Sequence, residues 1–434
     1  MPSNQSREVP APLILIPQHF GSIVYDHRTY QYMPFDMEAT KLLMRLKFTS
    51  ITHILDELND QNYKRQIWHF FEQFYKLGFF TIDQRFAGAI LDVNSPPDRL
   101  VGPLSLHLEV IDECNLKCKH CSTGKLPRNE QPLTLGELDK LFKSMRNIGT
   151  FRLGLTGGEP LLRRELFEII DLAVAHELSP CLTTNGLLLT EEIVKELGKH
   201  KLAWFNVSLE GASPQTHDFI RGKGTFNEVI KHISILSEYC RFSLAFTLMK
   251  TNLHEVRACA ELARCFGAEA AVFRPLYPVG TAYQHLDLMP SFSEYINALK
   301  VLSDMKDDPK TNGFVQLCNI HPWGPETRRS SQSIIYTNFG CGAGNVTCSV
   351  SVSGDVSPCS YLNPDYIAGN IKKDSLEDIW NNSPIFRQLR SLKGNNTCKK
   401  CNDYAICRGG CRARALALNG SINASDPFCM SMIP

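Results

Sequence analysis

The chain has 434 residues, with 46 Lys and Arg against 45 Asp and Glu for a formal net charge of +1; at roughly 100–200 residues per domain it predicts two to four domains. That charge balance argues against a general nucleic-acid binder, which carries a basic excess or stripe, and 43% hydrophobic with 21% charged residues is globular rather than disordered. No run approaches the ~20 apolar residues of a membrane helix and no signal-peptide pattern opens the chain, so a cytoplasmic protein with reduced thiols, and with neither membrane nor nucleic acid as partner, is expected.

Residues 1–12 are polar and Pro-rich, and the pattern changes from Pro17. GSIVYD (21–26) and TYQYM (29–33) predict a hairpin around a His27-Arg28 turn. Asp36 is placed to cap a helix through MEATKLLMRL, and a second helix is expected from Thr49, with Ile51, Ile54 and Leu55 on one face. A third, from Tyr63 to Leu77, carries Ile67, Trp68, Phe70, Phe71, Phe74 and Tyr75 and stops at Gly78, and FFTID is read as a closing strand. Hairpin, three helices and strand predict a small winged-helix domain over residues 13–90, followed by an acidic, Pro-containing linker at 92–100. The third helix has no strong basic excess, which argues against DNA.

From Gly102 strands and helices alternate. Strands are expected at 106–110, 151–156, 180–184, 205–209, 242–248 and 270–274, with helices near 134–147, 163–177, 190–199, 225–239 and 252–266. The first helix opens on a capping box, Thr134 to Glu137. Six βα units imply a parallel sheet with right-handed crossovers, an open or partial barrel over 102–310, whose chemistry collects at the C-terminal ends of the strands. Beyond about residue 310 the rhythm stops and the Gly, Asn, Ser and Cys content rises, which marks a third domain over 311–434.

The 16 cysteines are not spread evenly: three fall in residues 114–121, eight in 341–429, and five are scattered. A disulfide scaffold is short, secreted and Cys-rich throughout, so clustered thiols in a chain of this size read as metal ligands. Cys114-Asn-Leu-Lys-Cys118-Lys-His-Cys121 places three thiols in one loop after the first barrel strand, a spacing that suits three corners of an iron–sulfur cube better than zinc, which uses paired CxxC units. The second set reads Cys341, Cys348, Gly354-x4-Cys359, Cys398-x2-Cys401-x5-Cys407-x3-Cys411 and Cys429. By themselves those eight thiols also satisfy two four-cysteine zinc sites. The leftover Cys181, Cys240, Cys259, Cys265 and Cys318 are read as small buried hydrophobes, and the Cys318–His321 pair is discounted.

The Cx3CxxC loop after the first strand resembles that of the radical S-adenosylmethionine (SAM) enzymes. That resemblance implies a partial (βα)6 barrel in which Cys114, Cys118 and Cys121 hold a [4Fe–4S] cluster with one iron left to chelate SAM, so that reductive cleavage yields a 5′-deoxyadenosyl radical. Thr156-Gly157-Gly158-Glu159-Pro160 looks like the family's glycine-rich segment, with Glu159 placed to accept from the SAM ammonium. Ser208-Leu209-Glu210-Gly211 is similar to its ribose-contacting segment, although Asp is commoner than Glu there. Arg221 matches the arginine that pairs with the SAM carboxylate, and His120 the position whose backbone faces the adenine. No catalytic acid or base announces itself by spacing.

The eight-cysteine region resembles a SPASM extension. The resemblance implies two auxiliary [4Fe–4S] clusters, held by Cys341, Cys348, Cys359 and Cys411 and by Cys398, Cys401, Cys407 and Cys429, for three clusters in all. The N-terminal unit resembles a PqqD-like element, which binds a leader peptide as an added strand. Together these imply modification of a ribosomally synthesised precursor peptide bound through its leader, by crosslink, epimerisation or excision, with an external donor such as flavodoxin or ferredoxin supplying electrons. Three alternatives stand beside it: sulfatase maturation, where an Asp usually occupies the place of Ser360; a cofactor or haem biosynthesis enzyme of the same superfamily; and a non-catalytic iron–sulfur or zinc sensor.

Overall fold

The structure is a computed structural model that describes residues 11–124, 129–308, 313–317, 340–362, 365–392, 398, 400–401 and 404–429. The chain divides into two compact units, Met1–Leu104 with Met145–Phe151, and Ser105–Ser144 with Arg152–Pro434.

In the first unit, β1 (Leu13–Gln18), β2 (Gly21–Asp26) and β3 (Gln31–Asp36) form an antiparallel meander, and α1 (Met37–Leu46), α2 (Ile51–Asp56) and α3 (Gln61–Tyr75) follow. Asp36 caps α1 as expected, accepting from Ala39 N at 2.8 Å; α2 and α3 start at Ile51 and Gln61 rather than at Thr49 and Tyr63, because Ser50 accepts from His53 N at 3.3 Å and Asp60 from Asn62 N at 2.7 Å. The apolar stripes of α1 and α3 meet one face of the sheet, and Leu43, Leu46, Ile67 and Phe71 bury themselves with Leu15 and Val24. Arg28, in the hairpin turn, is clamped by Asp26 and donates to Leu77 O at 2.7 Å, which ties the turn to the end of α3.

Two expectations are corrected. The sheet begins at Leu13, not at Pro17: LILIPQ pairs with the whole of β2, and Pro17 lies near its end, opposite Ser22. FFTID is not a strand, because Phe79 and Phe80 turn inward as core plugs and leave a single bridge, Phe80 to Phe86. The strand that closes the sheet is β4 (Ala89–Ile90), parallel to β1, in the order β3-β2-β1-β4.

The second unit contains the expected alternation. Strands β5 (Ser105–Ile111), β6 (Arg152–Gly157), β7 (Ser179–Thr184), β8 (Trp204–Ser208), β9 (Ser243–Leu248) and β10 (Ala270–Pro275) lie side by side in sequence order, all parallel. Between them run α4 (Leu135–Asn147), α5 (Leu166–Ala175), α6 (Glu191–Leu197), a split pair α8 (Thr225–Ile233) and α9 (Leu236–Tyr239), and α10 (Val256–Cys265). This is the (βα)6 arrangement of a partial barrel. The Thr134–Glu137 box forms in both directions, at 3.3 Å from Glu137 N and 2.8 Å from Thr134 N.

Sequence reading missed α7 (Pro214–Arg221), a short helix capped by Ser213 with Pro at its first position, and α11 (Phe292–Asp307). It also missed that the sheet continues past the barrel. β11 (Val315–Leu317) adds beside β10, and β12 (Thr347–Val350) adds in parallel beside β5, followed by antiparallel β13 (Asp355–Ser357) and β14 (Gly369–Asn370). The cysteine-rich segment therefore extends the barrel's own ten-stranded sheet. No helix among the described residues is long and apolar enough to cross a membrane.

Candidate functional site

The three-cysteine loop leaves the C-terminal end of β5, where parallel-sheet chemistry gathers. Two glycines decide its course. Gly157 has φ +132°, and a Cβ on it would lie 2.2 Å from Ile111 O; one on Gly158 would lie 1.8 Å from Glu113 O. Only bare backbone fits there. Gly158 N donates to Ile111 O and Glu159 N to Glu113 O, both at 2.8 Å, so the Gly-Gly-Glu segment clamps the residues just ahead of Cys114. Further on, Lys119 N donates to Ile220 O at 3.0 Å with its ammonium 3.3 Å over Phe219, and Ala282 N donates to Cys121 O at 3.2 Å. Asn185 Nδ2 donates to Asn115 Oδ1 at 2.7 Å, which ties the loop to the end of β7. The thiols of Cys114, Cys118 and Cys121 lie within electrostatic reach of one another, and burial pushes Cys118 up to about 11 although Arg221 opposes it.

Glu159, expected to accept from a ligand ammonium, already accepts from Thr184 Oγ1 at 2.6 Å, Asn185 N at 2.8 Å and Leu161 N at 3.1 Å. It is 1% exposed, and burial raises its pKa against those donors. In this structure it anchors the loop.

Glu210, Arg221 and His120 come together next to Cys118. Glu210 Oε1 meets Arg221 Nη2 at 2.8 Å and His120 Nε2 at 3.1 Å, while Oε2 accepts from Thr247 N at 2.8 Å. Burial works to raise the Glu210 pKa, but the charges of His120 and Arg221 and their hydrogen bonds win and hold it at about 2. Arg221 Nη1 points at Cys118 Sγ at 3.9 Å. Two buried atoms of this cage, His120 Nδ1 and Arg221 Nε, have no hydrogen-bond partner among the described residues, and unsatisfied buried polar atoms of this kind point to a bound group. Ser208 ends β8 half-buried, one residue before Leu209, whose N–H donates to Ala245 O.

Residues that sequence reasoning missed support this cage. His217 Nδ1 accepts from Glu210 N at 3.1 Å, and Asn252 Nδ2 donates to Glu210 O at 3.0 Å and Thr247 O at 2.7 Å. Glu255 collects Ala212 N, Ser213 Oγ and Thr216 Oγ1, which fixes the start of α7. None has a motif spacing that would have found it; α7 itself was the missing signal.

In the C-terminal segment, Cys398, Cys401, Cys407 and Cys429 line one pocket with Tyr404, Gly409 and Asp426. Cys341, Cys359 and Cys411 form a second group, packed beside Tyr277 and Leu362 and each within electrostatic reach of another. Cys348 is fully buried on β12, and burial pushes its thiol well up. Among the described residues no three His, Cys, Asp or Glu side chains close around one point as a single-ion site requires. Asp426 joins the two groups, accepting from Cys411 N at 2.7 Å and taking a two-pronged contact from Arg414 at 2.8 and 2.9 Å. Of the leftover thiols, Cys259 is buried in α10, Cys265 is exposed and Cys318 lies outside the described residues.

Comparison with known proteins agrees with this geometry. Residues 108–263 match the radical SAM superfamily and residues 341–402 match SPASM, an iron–sulfur cluster-binding domain. The chain is 34% identical to the AdoMet-dependent heme synthase of Methanosarcina barkeri over 76% of its own length and 96% of that protein. It is 28% identical to the mycofactocin maturase of Mycolicibacterium smegmatis over 76% and 83% of the two chains. Its fold is similar to that of Streptococcus suis SuiB bound to S-adenosylmethionine, with a TM-score of 0.72 and 16% identity over 98% of this chain and 100% of that one. Barrel, cysteine loop and C-terminal domain together make this chain a radical SAM enzyme, a member of the radical SAM superfamily in the group that carries a SPASM iron–sulfur domain.

Proposed function

We propose that the enzyme modifies a ribosomally synthesised precursor peptide, with Cys114, Cys118 and Cys121 holding the SAM-binding cluster. When bound, cluster and SAM supply a radical that removes a hydrogen atom from substrate carbon. The chain's own part is placement. The Gly157–Gly158 clamp sets the cysteine loop, Glu159 fastens it to β7, and Ser208 with the Glu210–His120–Arg221 cage borders the place where SAM sits. His120 Nδ1 and Arg221 Nε are the donors or acceptors left for it. Cys398, Cys401, Cys407 and Cys429 are assigned one auxiliary cluster, and Cys341, Cys359 and Cys411, with Cys348, the other; an outside donor such as flavodoxin or ferredoxin delivers the electron.

The observation that favours a peptide is the N-terminal unit. The two relatives above each align with 76% of this chain, whereas the SuiB likeness spans 98% of it. SuiB has also been captured with its precursor peptide SuiA. In the present chain β3 is an edge strand of six residues, mostly half-exposed, with Pro34 in it. An open edge offers main-chain groups that an added strand can pair with, Pro34 contributing no N–H, and we assign the PqqD-like role to this edge. The 34% identity to a heme synthase supports a second reading, a small-molecule substrate that needs no leader.

The test is anaerobic co-expression with each short reading frame encoded nearby, followed by intact and fragment mass spectrometry. A two-hydrogen loss reports a crosslink, deuterium uptake at constant composition an epimer, and a larger loss an excision. A precursor stripped of its leader should then be processed at least about tenfold less efficiently, by the usual worth of a strand-addition contact. No change in any peptide would overturn the reading in favour of the small molecule.

A further inference from the structure

The inner wall of the barrel carries a cation, Arg274, that has no hydrogen-bond or ion-pair partner among the described residues. Register places His107 on β5, Gly154 on β6 and Cys181 on β7 side by side. They share the inward face, since a Cβ on Gly154 would stand 2.9 Å from His107 Nδ1. Trp204, opposite Cys181, packs on Val272 of β10, so Val272 faces inward, as does Arg274 two residues on. Arg274 ends this row near the top of β10, half-buried, and its charge reaches His107, Cys181 and, from the cysteine-rich segment, Tyr361.

His107 is open to water and yet enclosed by protein, the condition of a side chain that faces an internal space; Gly154 opposite it, with no side chain, keeps that space clear. Among the described residues Arg274 has no hydrogen-bond or ion-pair partner, and its Nε is buried with none. Glu109, two residues past His107 on the same inward face, and Arg152 have interactions of their own. A buried guanidinium Nε left without an acceptor is costly, and the planar fork matches a carboxylate with two parallel bonds.

We propose that Arg274 is the substrate anchor of the barrel and takes a carboxylate of the peptide, an acidic side chain or the C-terminus. The assignment rests on the peptide reading only for the source of the carboxylate. An inward cation at the strand ends, within electrostatic reach of Tyr361 two residues past Cys359, fixes which end of the substrate residue is held and leaves its carbon for the radical. Arg274 binds and orients; it exchanges no proton or electron.

The test uses the full-length, iron-loaded enzyme with SAM bound, in wild-type, Arg274→Gln and Arg274→Lys forms. Glutarate should raise the wild-type unfolding temperature at constant ionic strength and glutaramide should not, with the glutarate effect absent in Arg274→Gln and reduced in Arg274→Lys. Both variants should keep the iron content and SAM affinity of the wild type. For a peptide that the enzyme modifies, one Asp→Asn, Glu→Gln or C-terminal amide change should raise KM about 10- to 100-fold, the worth of a charge-assisted hydrogen bond, and should have no further effect in Arg274→Gln. The identity of that change separates side chain from C-terminus. Loss of SAM affinity in Arg274→Gln assigns the residue to SAM and overturns the proposal, as does stabilisation by inorganic phosphate in place of glutarate, or an equal glutarate effect in all three forms. Glutarate binding that depends on Arg274, with no peptide ever modified, retains the carboxylate site and removes the peptide reading instead.

Discussion

Gly158 and Glu210 illustrate opposite ways in which one residue governs the site. At Gly158 the controlling quantity is a distance: a methyl group would stand 1.8 Å from Glu113 O, a backbone atom that cannot swing aside, so the residues leading into Cys114 must move. Gly158→Ala is therefore expected to fold, to lose the iron of the first cluster and to cut 5′-deoxyadenosine formation at least about tenfold, a misplacement effect of the size known for active-site loops; iron analysis and product assay check it. At Glu210 the quantity is charge, and His217 beside it makes that charge visible in pH. Burial, then the neighbouring Arg221, hold the His217 pKa at about 4 against an ordinary 6.5. The unfolded chain thus binds the extra proton first, and the stability from a neutral His217, complete above pH 6.5, is lost as pH falls through 4. On the order of 3 kcal/mol is at stake. Acid unfolding of the iron-free chain followed at several pH values should show this loss, and His217→Phe should flatten it.

Among the elements, α7 and the C-terminal helix over residues 412–419 matter most. Arg221 and His217 reach Glu210 because Ser213, Pro214 and Glu255 start α7 at one fixed point. Arg414 sits in the other helix, almost fully buried, and pairs with Asp426 while Asp426 also holds Cys411 N. Removing one partner of such a pair leaves a bare buried charge, at about 3–5 kcal/mol. Asp426→Ala is accordingly expected to release both auxiliary clusters and leave about four irons per chain, because Asp426 touches both cysteine groups. A variant that retains full iron would show that the two groups do not depend on this pair. The strands and most helices of the barrel were legible from alternation and caps, within about three residues, since β5 to β10 are local patterns flanked by turns. β1 was missed because its six residues, LILIPQ, follow a Pro-rich lead-in and end beside Pro17, and α7 because eight residues that begin with Pro214 carry little period.

For the molecule as a whole, the cysteine count becomes a stoichiometry. If the three proposed four-iron cubes form, the chain holds about twelve irons; Cys118→Ala should then leave about eight and abolish 5′-deoxyadenosine formation, while Cys407→Ala should also leave about eight but retain SAM binding. Cys348 is the decisive ligand to test, because it is not among the residues that pack with Cys341, Cys359 and Cys411. The leader is also better removed from the peptide than the domain from the enzyme: Phe151, fully buried, stacks on Tyr25 at 4.9 Å, so deleting residues 1–95 would strip it bare.

Sequence alone determined the spacing of the cysteines and the order of the barrel strands, because spacing and period two are properties of neighbouring residues. Only the tertiary structure decided that Glu159 anchors the loop, that Glu210, His120 and Arg221 hold one another, and that β12 carries the C-terminal cysteines onto the barrel's own sheet. It also decided that Arg274 faces inward with no hydrogen-bond or ion-pair partner among the described residues. Each of these is a contact between residues far apart along the chain, set by which strands adjoin and by how much charge a closed interior can tolerate, and no local pattern encodes it.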